Sequence, residues 1–274
     1  SSVSGPLVAM NTILADSLNW IAGKLEPALA ASSGNEAEAV ISVLQELMLD
    51  HSNVIFGGDG YSSEWHRIAV EERGLKNIPT TADALPALKS DAVKALFQST
   101  GVLSAKELES RYEVYSEQYV LTIEVEAKLV VDMAKTSIYP AAISYLSEIS
   151  VAGGNLADTG IELDTSVAKT IASATNSMMS TVAKLSEAIG KEDFSSVEEH
   201  MKFCAETIRP LMDEVRVYAD TLETEVADEL WPLPKYAEML FIRWLAFLNF
   251  SFKGSVCFGK RGLFFVELWR DLSS

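Results

Sequence analysis

Apolar side chains recur every three or four positions along most of the chain, a spacing that predicts helices. The first runs through "SGPLVAMNTILADSLNWIAGKL" on Val8, Ile13, Leu14, Leu18 and Ile21, with Ser4 as its expected N-cap and Pro6 in its first turn. A second spans about Asn35 to Asp50 on Val40, Val43, Leu44 and Leu47. "NVIFGGDGYSSEW" then breaks the pattern. Its apolar run Val54-Ile55-Phe56 reads as a short strand entering a glycine loop. Ser63 and Glu64 open the next helix, which "EERG" ends with Gly74 in the usual C-terminal position. "PTTADALPAL" reads as a turn and a short helix, and "SDAVKALFQST" as a helix stopping before Gly101.

The character changes at Ser104. "SAKE" is a capping box, with Ser104 as the cap and Glu107 three residues on. No glycine or proline follows until Pro140, and Leu108, Tyr112, Tyr115, Tyr119, Ile123, Leu129 and Met133 keep the helical period. A helix from Ser104 to Tyr139 would be about 50 Å long at about 1.5 Å per residue. Pro140 is expected to kink it without ending it, because "AAISYLSEI" continues the pattern. "VAGGNLADTGIELD" reads as a loop. Two long helices follow, from about Thr165 to Ile189 and from about Ser195 to Leu230, with Gly190 between them and Pro210 bending the second. The first is rich in Ala, Ser and Thr, so a partner helix can approach closely, and the two form an expected antiparallel hairpin against the Ser104 helix. The fold class is mainly α, with long antiparallel helices and at most one short strand.

Composition narrows the function. The 274 residues are 48% hydrophobic and 22% charged, an ordinary globular balance. The net charge of −17 argues against nucleic acid, which needs a basic stripe. Cys204 and Cys257 lie far apart and suggest neither a disulfide framework nor a metal cluster, so a reducing compartment is expected. No secretory signal and no long charge-free apolar run is visible, and a soluble, cytoplasmic protein without a membrane partner is expected. One segment departs from the rest. Residues 243–274 hold five Lys/Arg against two Asp/Glu, with Trp244, Phe247, Phe250, Phe252, Phe258, Phe264, Phe265 and Trp269.

The search for chemistry finds little. A phosphate loop would need a Lys-Ser/Thr ending after its glycines, and a dinucleotide fingerprint would need them further apart than Gly57, Gly58 and Gly60. Asp59 would repel phosphate. An EF-hand register puts Ile55 at the first ligand and His66 where a bidentate Glu belongs. The loop is therefore expected to be a tight turn with positive-φ glycines. His51, His66 and His200 stand in no metal-binding spacing, and Glu124 and Glu126, two apart on a helix, face different ways. No G-x-S-x-G elbow occurs. The residues by themselves read as an accessory part of a machine.

Taken together, these stretches resemble the C-terminal region of type III glutamine synthetases. "SSVSGPLVAMNTILADSL" is similar to the segment that follows the catalytic strands in that family. "NVIFGGDGYSSEWHRIAVEERGLKNIPTTADAL", "GVLSAKELESRYEVYSEQYVLTIEVEAKLVVDMAKTSIYPA" and "ELWPLPKYAEMLFI" resemble stretches of the type III branch. Residues 79 to about 134 are similar, more loosely, to the final helices of other glutamine synthetases. The resemblance covers about residues 1–242. It implies residues 1–134 as the helical C-terminal part of a catalytic domain and 135–242 as a helical hairpin extension, the Ser104 helix crossing that boundary.

The resemblance also implies an ATP-dependent ligase that phosphorylates the γ-carboxylate of glutamate, ammonia then displacing the phosphate, with Mg²⁺ or Mn²⁺ bridging the phosphates. The metal ligands and nucleotide cradle of the family lie upstream of the matching stretches. The chain is accordingly expected to be a C-terminal fragment with no catalytic, cofactor-binding or metal-binding residue of its own. Its partners would be the N-terminal catalytic part of the same enzyme and further copies in a ring-built homo-oligomer. Residues 243–274 run past the family's usual end and are expected to be read-through, frameshifted or assembly-derived sequence. Two other readings remain open: a stand-alone helical adaptor and a self-contained enzyme with an unfamiliar site. Apolar surface left uncovered on the helix at 8–21 and at Val54–Phe56 separates a fragment from an adaptor, which would bury it.

Overall fold

The computed structural model describes residues 3–235, 238 and 239, so the expected tail at 243–274 lies outside the described residues. The described elements are helical, and among the described residues there is no β-strand. They are α1 (Ser4–Ala31), α2 (Glu36–Asp50), α3 (Ser63–Glu71), α4 (Thr81–Ala84), α5 (Asp91–Ser99), α6 (Ala105–Met133), α7 (Tyr139–Ala157), α8 (Ser166–Ile189), α9 (Val197–Phe203) and α10 (Arg209–Glu225). The chain divides at Ala227 into two units. In the second, Lys235 Nζ pairs with the Asp228 carboxylate at 2.8 Å, and the Glu238 N–H donates to the Lys235 carbonyl at 3.0 Å.

Side-chain caps set five of the helix starts among the described residues. Ser62, Thr80, Ser90, Ser104 and Ser196 each accept a backbone N–H from three residues on, which satisfies a donor the first turn leaves free. At α6 the box is complete: Glu107 reaches back to the Ser104 N–H at 2.8 Å. α1 departs from expectation, since Val3 is its N-cap and Ser4 is already helical. The predicted strand is also absent. Ser52–Val54 form a 3₁₀ turn, and Ile55 is extended with no neighbouring strand to pair with.

Pro140 and Pro210 each sit just after a π turn, whereas Pro27 lies inside α1 without one. Ala134–Ile138 precedes Tyr139-Pro140, and Cys204–Ile208 precedes Arg209-Pro210. A proline offers no N–H, and its ring crowds the carbonyl four residues back. One wider turn opens the ladder at that place, so the helix continues through it. Pro140 thus ends nothing: helical backbone runs from Ala105 to Ala157. The predicted loop at 151–164 shrinks correspondingly, because Gly153 and Gly154 stay helical. The turn comes at Gly160, whose φ of +80° lets the Ile161 N–H bond the Leu156 carbonyl at 3.0 Å.

The core lies where α6, α8 and the α9–α10 segment meet. α6 contributes Leu108, Tyr112, Val120, Ile123 and Ala127, and α8 contributes Ile171, Met178, Val182 and Leu185. Met201, Cys204, Ile208, Val215 and Leu222 complete it from the third side. Along α8 the buried Ala174, Thr175 and Thr181 are small, which brings the α10 backbone close. The N-terminal end is different. α1 and α2 pack on each other, and Lys24 pairs with Glu46 between them. Thr12 is the one buried residue of the 28-residue α1, and Val43 the one of α2.

Candidate functional site

The glycine loop is held from beneath by one arginine. Arg73, just past α3, donates to the Asn53 and Ile55 carbonyls at 3.2 and 2.6 Å. Its guanidinium also lies over the rings of Trp65 and Phe56, at 5.1 and 5.8 Å. Those two rings stack at 4.0 Å. The stack fixes the need for glycine at 58, because a Cβ there would stand 2.6 Å from the Phe56 ring. None of Gly57, Gly58 and Gly60 has positive φ, so the expected left-handed turn is not what these glycines provide. They provide room.

Asp59 is engaged by the loop itself. An Asp59 carboxylate oxygen accepts the Tyr61 N–H at 2.9 Å, and the Asp59 carbonyl accepts the Ser62 hydroxyl at 2.8 Å. Tyr61 projects outward, 96% exposed. A loop whose carboxylate and arginine are both turned onto its own backbone is a built support.

The histidines and glutamates singled out above are dispersed. His51 caps α2 and meets the Trp20 ring edge-on at 5.7 Å. His66 is exposed on α3. His200, on α9, brings Nε2 within 3.1 Å of Glu124 Oε1 on α6 and stacks on Phe194 at 3.9 Å. Glu124 is half-buried in this contact, whereas Glu126 is exposed. Among the described residues no group of three or more His, Cys, Asp and Glu side chains is placed to hold a metal ion.

A second network joins the same helices, and sequence reasoning missed it. The Tyr112 hydroxyl donates to Glu198 Oε1 at 2.7 Å, and Lys89 Nζ donates to the same oxygen at 3.0 Å. Those two donors, Tyr112 first, pull the Glu198 carboxyl down to about 2. Burial raises the Tyr112 phenol to about 12, with the Glu198 carboxylate adding to it. The partners lie 86 and 109 residues apart, so no local pattern announces them. Cys204 is fully buried, and burial pushes its thiol up to about 11, so it stays a protonated, unreactive core group at neutral pH.

Elsewhere an open groove of about 680 Å³ lies between α7 and α8, walled by Leu146, Ile149, Gly153, Leu163 and Ala172 with Lys169 at its side. No helix among the described residues is long and apolar enough to cross a membrane.

Comparison with known proteins gives this arrangement a lineage. Residues 39–154 match the glutamine synthetase C-terminal domain. The chain is 32% identical over 251 residues to a type-3 glutamine synthetase of Dictyostelium discoideum, covering 88% of this chain and 34% of that protein. It is 29% identical over 255 residues to a glutamine synthetase of Bacteroides fragilis, covering 89% of this chain and 34% of that protein. A glutamine synthetase of Butyrivibrio fibrisolvens is 32% identical over 223 residues, 79% of this chain and 32% of its own length. The chain spans about a third of the length of these curated relatives. Residues 39–154 thus match the glutamine synthetase C-terminal domain, and the chain is similar to the C-terminal third of the type-3 glutamine synthetases.

Proposed function

We propose that this chain is the structural and oligomerisation portion of an ATP-dependent glutamate–ammonia ligase, and that it carries no catalytic residue. Residues 1–134 are the helical C-terminal part of the catalytic domain in this reading, and 135–242 are a hairpin that buttresses it. The observation that carries the reading is the uncovered apolar stripe of α1. Val3, Leu7, Met10, Leu14 and Leu18 follow one another at helical spacing, and each is more than half exposed. Val54 and Ile55 are exposed as well. A finished adaptor would bury such surface, while a part made to be covered by a larger body leaves it open.

ATP and Mg²⁺ or Mn²⁺ would act in the other portion of the ligase. The residues here do not fit them. Arg73 is stacked and bonded to the loop's own carbonyls, and Asp59 faces the Tyr61 N–H where a phosphate would have to stand. The test of the structural role is a surface measurement. The purified chain should bind an apolar fluorescent dye, and Leu7→Glu with Leu14→Glu should remove most of the signal without loss of helix by circular dichroism. A wild-type chain that binds no dye would count against the reading.

A further inference from the structure

Two polar ties hold α9 to α6, and they answer differently to protons. The first is the Tyr112–Glu198 bond, with Lys89 on the same oxygen. Its carboxyl is held down to about 2 and its phenol raised to about 12, so neither changes charge between about pH 5 and about pH 8. The second is His200 Nε2 against Glu124 Oε1 at 3.1 Å, with both side chains only 22% exposed, so water screens the pair in part. Imidazole is the side chain that ordinarily changes charge across that range.

The imidazole carries more than this one contact. Phe194, in the turn of residues 190–196 between α8 and α9, lies on it at 3.9 Å with the rings 11° from parallel. Phe194 also meets Phe203 at 5.3 Å, and Lys191 Nζ stands over the two phenyl rings at 4.9 and 4.6 Å. The Phe194 N–H donates to the Glu192 carbonyl at 3.1 Å, a bond within the turn that anchors it to neither neighbouring helix. A positive His200 gains on two sides at once: a charge-assisted bond to Glu124, and a cation against the π face of Phe194.

The surrounding charges leave that gain in place. On α6, Lys128 Nζ lies 3.8 Å from the other Glu124 oxygen but is 61% exposed, so water screens it. Lys191 opposes a second cation at Phe194, though it is shared with Phe203. On α4, the Asp83 carboxylate accepts the Thr80 hydroxyl. On α9 itself Glu198 is held by Tyr112 and Lys89, Glu199 accepts the Ser195 N–H and hydroxyl at 2.8 and 2.6 Å, and Lys202 is exposed. The Cys204 thiol, at about 11, stays neutral. Glu124 is the carboxylate in contact with the ring.

We propose that His200 is a proton-controlled latch for the turn at residues 190–196: protonated, the ring grips Phe194 by its face and Glu124 by its edge and ties the turn to α6; neutral, it grips both less and the turn loosens. The added hold is present while the imidazole is protonated and is lost as rising pH removes the proton. Tyr112–Glu198 keeps α9 in place in either state. The latch stands apart from the ligase reading.

The test is hydrogen–deuterium exchange of the full chain, read at residues 190–196 at about pH 6 and about pH 8.5, on either side of the ordinary imidazole range. Wild type and His200→Gln are compared in the same buffer, so that the intrinsic pH dependence of exchange cancels. The wild type should be several-fold better protected at the lower pH, and this advantage should shrink at the higher. Glu124→Gln, which keeps an acceptor without the charge, should remove most of the pH dependence, whereas His51→Gln with His66→Gln should leave it intact. An advantage equal at the two pH values, one undiminished by Glu124→Gln, or one lost with His51 and His66 would each overturn the latch. Should His200→Gln fail to fold, wild type against Glu124→Gln decides alone.

Discussion

The Tyr112 hydroxyl stands 2.7 Å from Glu198 Oε1, and this bond ties α6 to the start of α9 across 86 residues of sequence. The Glu198 carboxyl is held down to about 2, so its folded pKa lies below its unfolded one. Its stabilisation is then complete above the ordinary carboxylate range of about 4.5 and is lost as pH falls toward about 2. Glu198→Gln should cost about 1 kcal/mol at neutral pH, the size of a partly screened charged bond. The gap between variant and wild type in urea unfolding should close as the pH is lowered from about 5 to about 2. A gap that stays constant across that window would mean the carboxylate contributes nothing through its charge.

Arg73 predicts a local effect. Arg73→Ala removes the donor to the Asn53 and Ile55 carbonyls and the cation above Trp65 and Phe56. Proteolysis between Asn53 and Ser62 should become several-fold faster, with a stability loss of about 1–2 kcal/mol. Cleavage at an unchanged rate would show that the ring stack alone holds the loop.

Two leucines should behave oppositely. Leu185 is fully buried on α8, and Leu185→Ala should destabilise the chain by about 2–5 kcal/mol. Leu14 is 57% exposed on α1, and Leu14→Glu should change stability by no more than about 0.5 kcal/mol while raising solubility. Thermal unfolding of the two variants beside the wild type checks both.

How far the sequence could be read depended on how local each cause was. The Ser104–Glu107 capping box, the α8–α10 hairpin and the passage of α6 through Pro140 rest on spacing within a few turns, and the structure contains them. Val54-Ile55-Phe56 misled because a β-rich composition makes a strand only where another strand can pair with it. Gly153 and Gly154 misled because helix packing outweighs a modest local propensity cost. The Glu198 and Glu124 contacts were invisible because their partners are brought together by the tertiary fold. The role of Gly58 needed the position of the Phe56 ring.

Cys204 offers a chemical check on the packing. Its buried thiol, pushed up to about 11, should resist maleimide at neutral pH in the folded chain and react promptly in urea. Peptide mapping of the labelled sites reads this directly, and rapid labelling of Cys204 in the folded protein would show that the α6–α9 core opens.

The central claim is that this chain supports a glutamate–ammonia ligase without performing its chemistry. The direct measurement is glutamine formation by the purified chain alone, supplied with glutamate, ammonia, ATP and either Mg²⁺ or Mn²⁺. The account predicts no product above the protein-free control. ATP- and glutamate-dependent glutamine synthesis that co-purifies with the chain would contradict it.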